Sequence, residues 1–197
     1  MKPVACVALS TSPRRGGNSE TLARQALAGA RAAGANTELI RLADFRYEPC
    51  RACGGCYGTG VCVIPDQAAD IFSRLLEADR VVLAAPIFSM GICAQAKAII
   101  DRAQRFWATR YLLHRRVIAN PEQRPRRRGI FISTAGSDLP GVFDGALPVA
   151  RYFFRMLEVE PDGFYGYRNL EEKHEAGRSG SAMAEAFLAG ARLAGDR

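Results

Sequence analysis

Short apolar runs alternate with helical stripes along this chain. Residues 3–9 (PVACVAL) form one continuous apolar run, the pattern of a central strand covered on both faces. Beyond the polar stretch STSPRRGGNSET, Leu22, Ala26, Ala30 and Ala33 recur at helical spacing, with Asn18 as the expected N-cap and Gly34 as the stop. Residues 36–42 (NTELIRL) alternate as a second strand, residues 66–78 carry Ile71, Leu75 and Leu76 on a helix, and residues 80–85 (RVVLAA) give a third, wholly apolar strand. A helical face follows through Ile92, Ala96, Ile99, Ala103 and Phe106, and residues 107–128 read as irregular. Residues 129–134 (GIFIST) form the fourth strand, and Val149, Phe153, Met156 and Leu157 mark the next helix. Residues 158–165 (EVEPDGFY) make a fifth strand, at an edge where Pro161 is tolerated, and Met183, Ala186, Phe187 and Gly190 define a last helix over residues 180–193.

Strands alternating with helices predict an α/β fold, a doubly wound five-stranded parallel sheet forming a single domain over residues 1–197. Such a sheet binds ligands beyond the carboxyl ends of its strands. The loop after the first strand offers Ser10, Thr11, Ser12, Asn18, Ser19 and Thr21, with Arg14 or Arg15 as a fixed charge, ahead of a helix N-terminus. It lacks both G-x-G-x-x-G and G-x-x-x-x-G-K-[ST], so neither a dinucleotide pyrophosphate nor a Walker A lysine is signalled. A hydroxyl-rich loop of this kind fits a terminal monophosphate such as that of FMN; the alternative is an ordinary polar turn. The loop after the third strand, Pro86, Ile87, Phe88, Ser89, Met90 and Gly91, is apolar and suited to a flat ring, or else to plain core packing. The loop after the fourth, Ala135 to Asp138, has amides and hydroxyls for the polar edge of a heterocycle. These three loops on one short chain fit the flavodoxin-like strand order 2-1-3-4-5.

Cysteine changes this picture most. Four of the six fall in residues 50–62, as Cys50, Cys53, Cys56 and Cys62 in a C-x2-C-x2-C-x5-C array rich in glycine. Closely spaced thiolates on a loop freed by Gly54, Gly55, Gly58 and Gly60 can converge on one soft metal centre. A [4Fe–4S] cluster is the first reading, since the overlapping spacing differs from the separated knuckles of structural zinc. Zinc, disulfides and loose redox thiols remain alternatives. Cys6 reads as a buried apolar residue, and Cys93 stands at a helix start, where a depressed pKa is an option.

The net charge of +7 is nearly all arginine, densest at Arg115, Arg116, Arg124, Arg126, Arg127 and Arg128. That run reads as a solvated loop or as a contact for an acidic electron-transfer partner; no aromatic interleaving supports nucleic acid. No apolar run approaches membrane-spanning length, and a lone lysine followed early by Ser10 does not make a signal peptide, so a cytoplasmic location without membrane contact is expected. No catalytic triad is present, and His114 and His174 are isolated surface residues on this reading.

The segments TSPRRGGNSETLA, CRACGGCYGTGVC and APIFSMGICAQAKAIIDRAQRFW, in that order, resemble the iron–sulfur flavoproteins, a branch of the NAD(P)H-dependent FMN reductase group with a flavodoxin-like fold. The resemblance implies that Ser12, Arg14, Asn18, Ser19 and Thr21, with Ser10, hold the FMN phosphate. It implies that Pro86, Ile87, Phe88, Ser89 and Met90 lie along the ring system, and that Thr134, Ala135 and Gly136 approach its polar edge. Cys50, Cys53, Cys56 and Cys62 would bind the [4Fe–4S] cluster. It further implies a homodimer or homotetramer, a ferredoxin-like electron donor and an FMN-dependent relay of electrons. An NAD(P)H-dependent FMN or quinone reductase without a cluster is the enzyme alternative, and a thiol- or zinc-based nucleic-acid regulator the non-enzyme one.

Overall fold

The computed structural model describes residues 3–195. Its strands are β1 (Ala5–Ser10), β2 (Asn36–Arg41), β3 (Arg80–Phe88), β4 (Gly91–Ile92), β5 (Arg128–Thr134) and β6 (Glu160–Tyr167). Five of them pair in parallel in the order β2-β1-β3-β5-β6, so the expected spatial order holds. The sixth, β4, is an addition: it folds back antiparallel on the end of β3, pairing Ile87 with Ile92 and Phe88 with Gly91. Ser89 and Met90 turn the hairpin with φ of +50° and +63°, the left-handed pair that a two-residue turn matched to strand twist requires. β6 lies at the edge, where a register shift beside Gly129 and Ile130 accommodates Pro161.

Alternate residues of the apolar strands feed opposite faces of the sheet, as the pleat demands. Cys6, Ala8, Val82, Ala84, Ile130 and Ile132 pack under α1 (Asn18–Ala32) and α7 (Gly180–Gly195). Val7, Leu9, Val81, Leu83 and Phe131 pack under α2 (Ala68–Glu77), α3 (Ala94–Asp101) and α5 (Leu147–Met156). α1 and α7 approach so closely that a Cβ on Gly29 would stand 1.9 Å from Phe187 O, and one on Gly190 1.8 Å from Ala26 O. The helix expected through Ile92 and Phe106 is broken: α3 ends at Asp101, α4 (Gln104–Trp107) follows, and residues 108–112 wind as a π-helical turn. A one-turn helix, α6 (Glu175–Arg178), precedes α7.

Half of the arginine run is structural, which corrects its reading as a solvated loop for Arg124, Arg127 and Arg128, whereas Arg115, Arg116 and Arg126 are exposed. Arg127 is 6% exposed and donates to Ala78 O, Leu75 O and Leu157 O; Arg124 donates to Leu76 O and Glu77 O. Arg126 and Arg128 pair with Glu160 and Asp162 on the edge strand. Arg80, 1% exposed, donates to Leu193 O at 2.6 Å and Arg126 O at 2.9 Å. No described helix is long and apolar enough to cross a membrane.

Candidate functional site

At the carboxyl edge of the sheet, loops from β1, β3 and β5 surround one cleft of about 130 Å³. The first wall is Ser12, Arg14, Gly17, Asn18 and Ser19, where β1 runs into α1. Gly17, not Asn18, is the N-cap, and no side chain caps this helix. The first-turn amides therefore face the cleft without an internal acceptor. Ser19 is buried, and its Oγ has no hydrogen-bond partner among the described residues. A buried hydroxyl left unpaired is costly unless a ligand completes it.

The other candidates of this loop have different employment. Ser12 Oγ closes the turn, accepting from Arg14 N at 3.1 Å and donating to Arg14 O at 3.2 Å, while still lining the cleft. Thr21 Oγ1 donates to Gly17 O within the helix, and Ser10 is buried outside the cleft with an unpaired Oγ. Thr11 points into the core, its Oγ1 donating to Ala84 O at 3.0 Å. Arg14 lines the cleft, whereas Arg15 turns away to Asp44 at 2.5 Å. Glu20, which sequence reading passed over, is 2% exposed; it accepts Gly16 N at 3.0 Å and is clamped by Arg24 at 2.8 Å.

The second wall is Pro86, Ile87 and Phe88 from the end of β3, and the third is Thr134 and Gly136 beyond β5. Ser89 and Met90 do not line the cleft but form the exposed hairpin turn beside it. Ala135 is buried and both its backbone groups are taken, its N–H by Tyr167 O at 2.8 Å and its carbonyl by Leu170 N at 3.0 Å.

A fourth wall was invisible in the sequence. Leu170, Glu171 and Lys173, from the strap over residues 168–176, close the cleft on the remaining side. Asn18 holds this strap: its Nδ2 donates to Leu170 O at 3.0 Å and Glu172 O at 2.8 Å, and its Oδ1 accepts from Ala176 N at 3.1 Å. The amide is thus fully committed to backbone 152 or more residues away. Glu171 packs on Gly136, where a Cβ would fall 1.7 Å from its Oε2.

The cysteine loop lies apart from this cleft. Cys50, Cys53, Cys56 and Cys62 line one small cavity, with Arg102 and Arg105 on its wall. All four thiols are free, and among the described residues no group of three or more His, Cys, Asp or Glu stands arranged to hold a metal ion. Arg102, only 3% exposed, pins the two ends of the loop together. Its Nη1 donates to Glu48 O at 2.8 Å and Asp66 Oδ2 at 2.6 Å, and its Nη2 to Asp66 Oδ1 at 3.1 Å. Burial opposes its charge, but Asp66 and the Cys62 thiol raise it above its ordinary value. Burial likewise works against the Asp66 carboxylate, yet Arg102 and the Glu48 and Ala68 amides hold it below the usual range. Arg105 Nε donates to Gly60 O at 3.0 Å, and Arg115 to Thr59 O at 2.9 Å. Gly60, at φ +77°, packs where a Cβ would meet Thr109 Oγ1 at 2.4 Å, so glycine is needed there. Tyr57, Val61, Val63, Tyr111 and Leu112 leave an apolar surface beside the loop.

Cys93 is the N-cap residue of α3 and touches Thr11 Oγ1 at 3.4 Å. Burial pushes its thiol up, outweighing the Thr11 hydrogen bond, so the depressed pKa open from its position does not arise. Burial also pushes Cys6 up to about 12. His114 and His174 are exposed, His174 beside Gly16.

The NADPH-dependent FMN reductase family model matches residues 4–159. An iron–sulfur flavoprotein of Methanocaldococcus jannaschii is 38% identical over 98 residues, 50% of this chain and 51% of that protein. One of Methanosarcina thermophila is 36% identical over 95 residues, 48% and 50% of the two chains. These alignments span about half the length of those curated relatives. An iron–sulfur flavoprotein of Archaeoglobus fulgidus is 28% identical over 191 residues, 92% of this chain and 79% of its own. Among solved structures, a flavone reductase superposes with a TM-score of 0.70 at 20% identity, covering 97% of this chain and 62% of that one. An FMN-dependent NADH-azoreductase from Bacillus anthracis gives 0.66 at 15% identity, covering 97% and 99%. Likeness at such identity is one of fold, and it is the flavodoxin-like fold expected from the strand pattern. On the family match, this chain belongs to the NADPH-dependent FMN reductase family, and the curated relatives it resembles are iron–sulfur flavoproteins.

Proposed function

We propose that this protein is an FMN-dependent oxidoreductase whose cysteine loop carries a [4Fe–4S] cluster, relaying electrons between a one-electron donor of ferredoxin type and a further acceptor. The observation that carries the reading is the convergence of four free thiols on one cavity, beside two guanidiniums, in a chain of a flavin reductase family. The donor set fits the cluster: sulfur ligands are soft, and Arg102 and Arg105 offset the negative charge four thiolates would gather. A cleft with an uncapped helix N-terminus and an unpaired buried Ser19 hydroxyl fits FMN.

On this reading Ser19 and the first-turn amides of α1 hold the phosphate with Arg14, while Ser12 shapes the turn that presents them. Pro86, Ile87 and Phe88 flank the ring and shed water from it, and Thr134 and Gly136 meet its polar edge. Bound flavin supplies two-electron capacity with single-electron exchange, and a cluster supplies single-electron steps. The protein's own residues bind, orient and tune; no side chain in the cleft is assigned a proton-transfer step. The exposed apolar surface beside the cysteine loop supports a docking face there, in keeping with the homodimer or homotetramer that the resemblance implies. Free thiols also suit a reducing, cytoplasmic setting.

The test is anaerobic purification followed by an absorbance spectrum with iron and acid-labile sulfide assays. Flavin bands over a broad cluster shoulder, with about four irons per chain, are expected. Flavin without iron would refute the cluster. It would favour the second reading, an NAD(P)H-dependent FMN or quinone reductase, which the family match supports.

A further inference from the structure

The strap over residues 168–176 adds a charged group that the β1–α1 loop lacks. In that loop Gly16 N is spent on Glu20, Ser12 Oγ on its own turn, Asn18 on the strap and Arg15 on Asp44. Arg14 is the one cation of the loop that lines the cleft. A phosphate monoester brings a charge of about −1.5 to −2 at neutral pH, which a single cation leaves incompletely matched.

Lys173 stands over the same place. It lines the cleft, and its Cε lies 3.8 Å from where a Cβ on Gly16 would be. Its ammonium has no carboxylate partner among the described residues. Its backbone is held on both sides, by Asn18 at Glu172 O and at Ala176 N, and further back by Ala135 O at Leu170 N. Arg14 Nη1 also reaches Glu171 O at 3.4 Å, tying the two cation-bearing segments together. Gly16, at φ +66°, has no side chain to stand between the lysine and the loop.

We infer that Lys173 is a specificity-determining residue for the ligand's terminal phosphate, presented by the strap that Asn18 positions. The inference rests on the flavin reading of the cleft, and it names a phosphate contact 152 residues or more beyond the β1–α1 loop. A lysine ammonium acts on phosphate as a point charge, so the contact is sensitive to salt and insensitive to the rest of the ligand.

FMN and riboflavin differ only in the phosphate, so they separate charge recognition from ring packing. Flavin-stripped full-length protein, titrated by flavin fluorescence, should bind FMN more tightly than riboflavin. Lys173→Gln should weaken FMN three- to tenfold and leave riboflavin unchanged, and Lys173→Arg should keep most of the preference. Raising the salt should erode the FMN preference of the parent more than that of Lys173→Gln. Equal weakening of both ligands would overturn the inference, because it would make Lys173 a wall and not a charge partner. Unchanged FMN binding would overturn it too. If the parent binds neither flavin, the flavin reading itself falls and takes the inference with it, an outcome distinct from the other two.

Discussion

Arg127→Met tests the capping role of the buried arginine. α2 ends at Glu77, so the carbonyls of residues 75–78 have no further turn to accept from. Two guanidiniums take all four: Arg127 donates to Leu75 O at 2.5 Å and Ala78 O at 2.8 Å, and Arg124 to Leu76 O at 2.7 Å and to Glu77 O. Arg127 also donates to Leu157 O at the end of α5, so one buried cation joins two helix termini. Burial, with the charge of Arg124, lowers its pKa to about 10, which leaves it protonated and fully donating at neutral pH.

Methionine keeps much of the stem volume and removes every donor. Three buried carbonyls then lose a charged partner, at about 1.5–3 kcal/mol each, partly offset because no guanidinium is desolvated any longer. The net expectation is a loss of about 3–5 kcal/mol, a large part of the roughly 5–15 kcal/mol that stabilises a typical domain. With a urea slope of about 2 kcal/mol/M the unfolding midpoint should fall by about 1.5–2.5 M. Arg126→Met is the control, since its side chain is 77% exposed and pairs with Glu160 at the surface; it should cost less than about 1 kcal/mol. A loss under 1 kcal/mol for Arg127→Met, or equal losses for the two variants, would refute the capping argument.

Three further outcomes are expected. In cofactor-free native protein at pH 8 a thiol reagent should label the loop cysteines and spare Cys6 and Cys93, because burial raises both thiols, Cys6 to about 12. Rapid labelling of all six under native conditions would contradict that. A raised acid pKa favours the neutral folded form, so the Cys6 contribution is complete below about pH 9, where the unfolded thiol ionises, and is lost as pH rises toward 12. Ser19→Ala should leave the cofactor-free protein at least as stable as the parent in urea, as it removes a buried hydroxyl that has no protein partner, yet weaken FMN about tenfold. Lost stability with FMN binding intact would assign that hydroxyl a structural role instead.

The strands were legible because each is a local apolar run, and a run covered on both faces has few other places to go. β5 begins one residue before the apolar run 129–134, and β6 lies two residues beyond the expected 158–165, since pairing and not composition sets a strand's ends. The β4 hairpin escaped because Ser89 and Met90 take positive φ where glycine or asparagine would have signalled the turn. The helix through Ile92 and Phe106 looked continuous because nothing nearby marks Arg102 as the residue whose side chain must reach Glu48 O and Asp66 across 36 or more positions.

Polar residues were the harder part, and the reason is physical. A side chain with hydrogen-bonding groups can serve a ligand or the protein's own backbone, and residue type does not distinguish the two. Asn18 sits in a phosphate-type loop and satisfies backbone 152 or more residues distant; Arg127 sits in a basic run and satisfies carbonyls 30, 49 and 52 positions away. The placement of the cysteines was readable for the opposite reason, since four residues within 50–62 stay near one another whatever the rest of the chain does, and the four thiols do line one cavity. Proximity in sequence brought the cysteines to one cavity, whereas the cleft needed the fold to bring the segment after β6 over the first loop. That is why Lys173, ordinary in a stretch reading RNLEEKHEA, gains a role only when Asn18 is seen to hold the strap above Gly16.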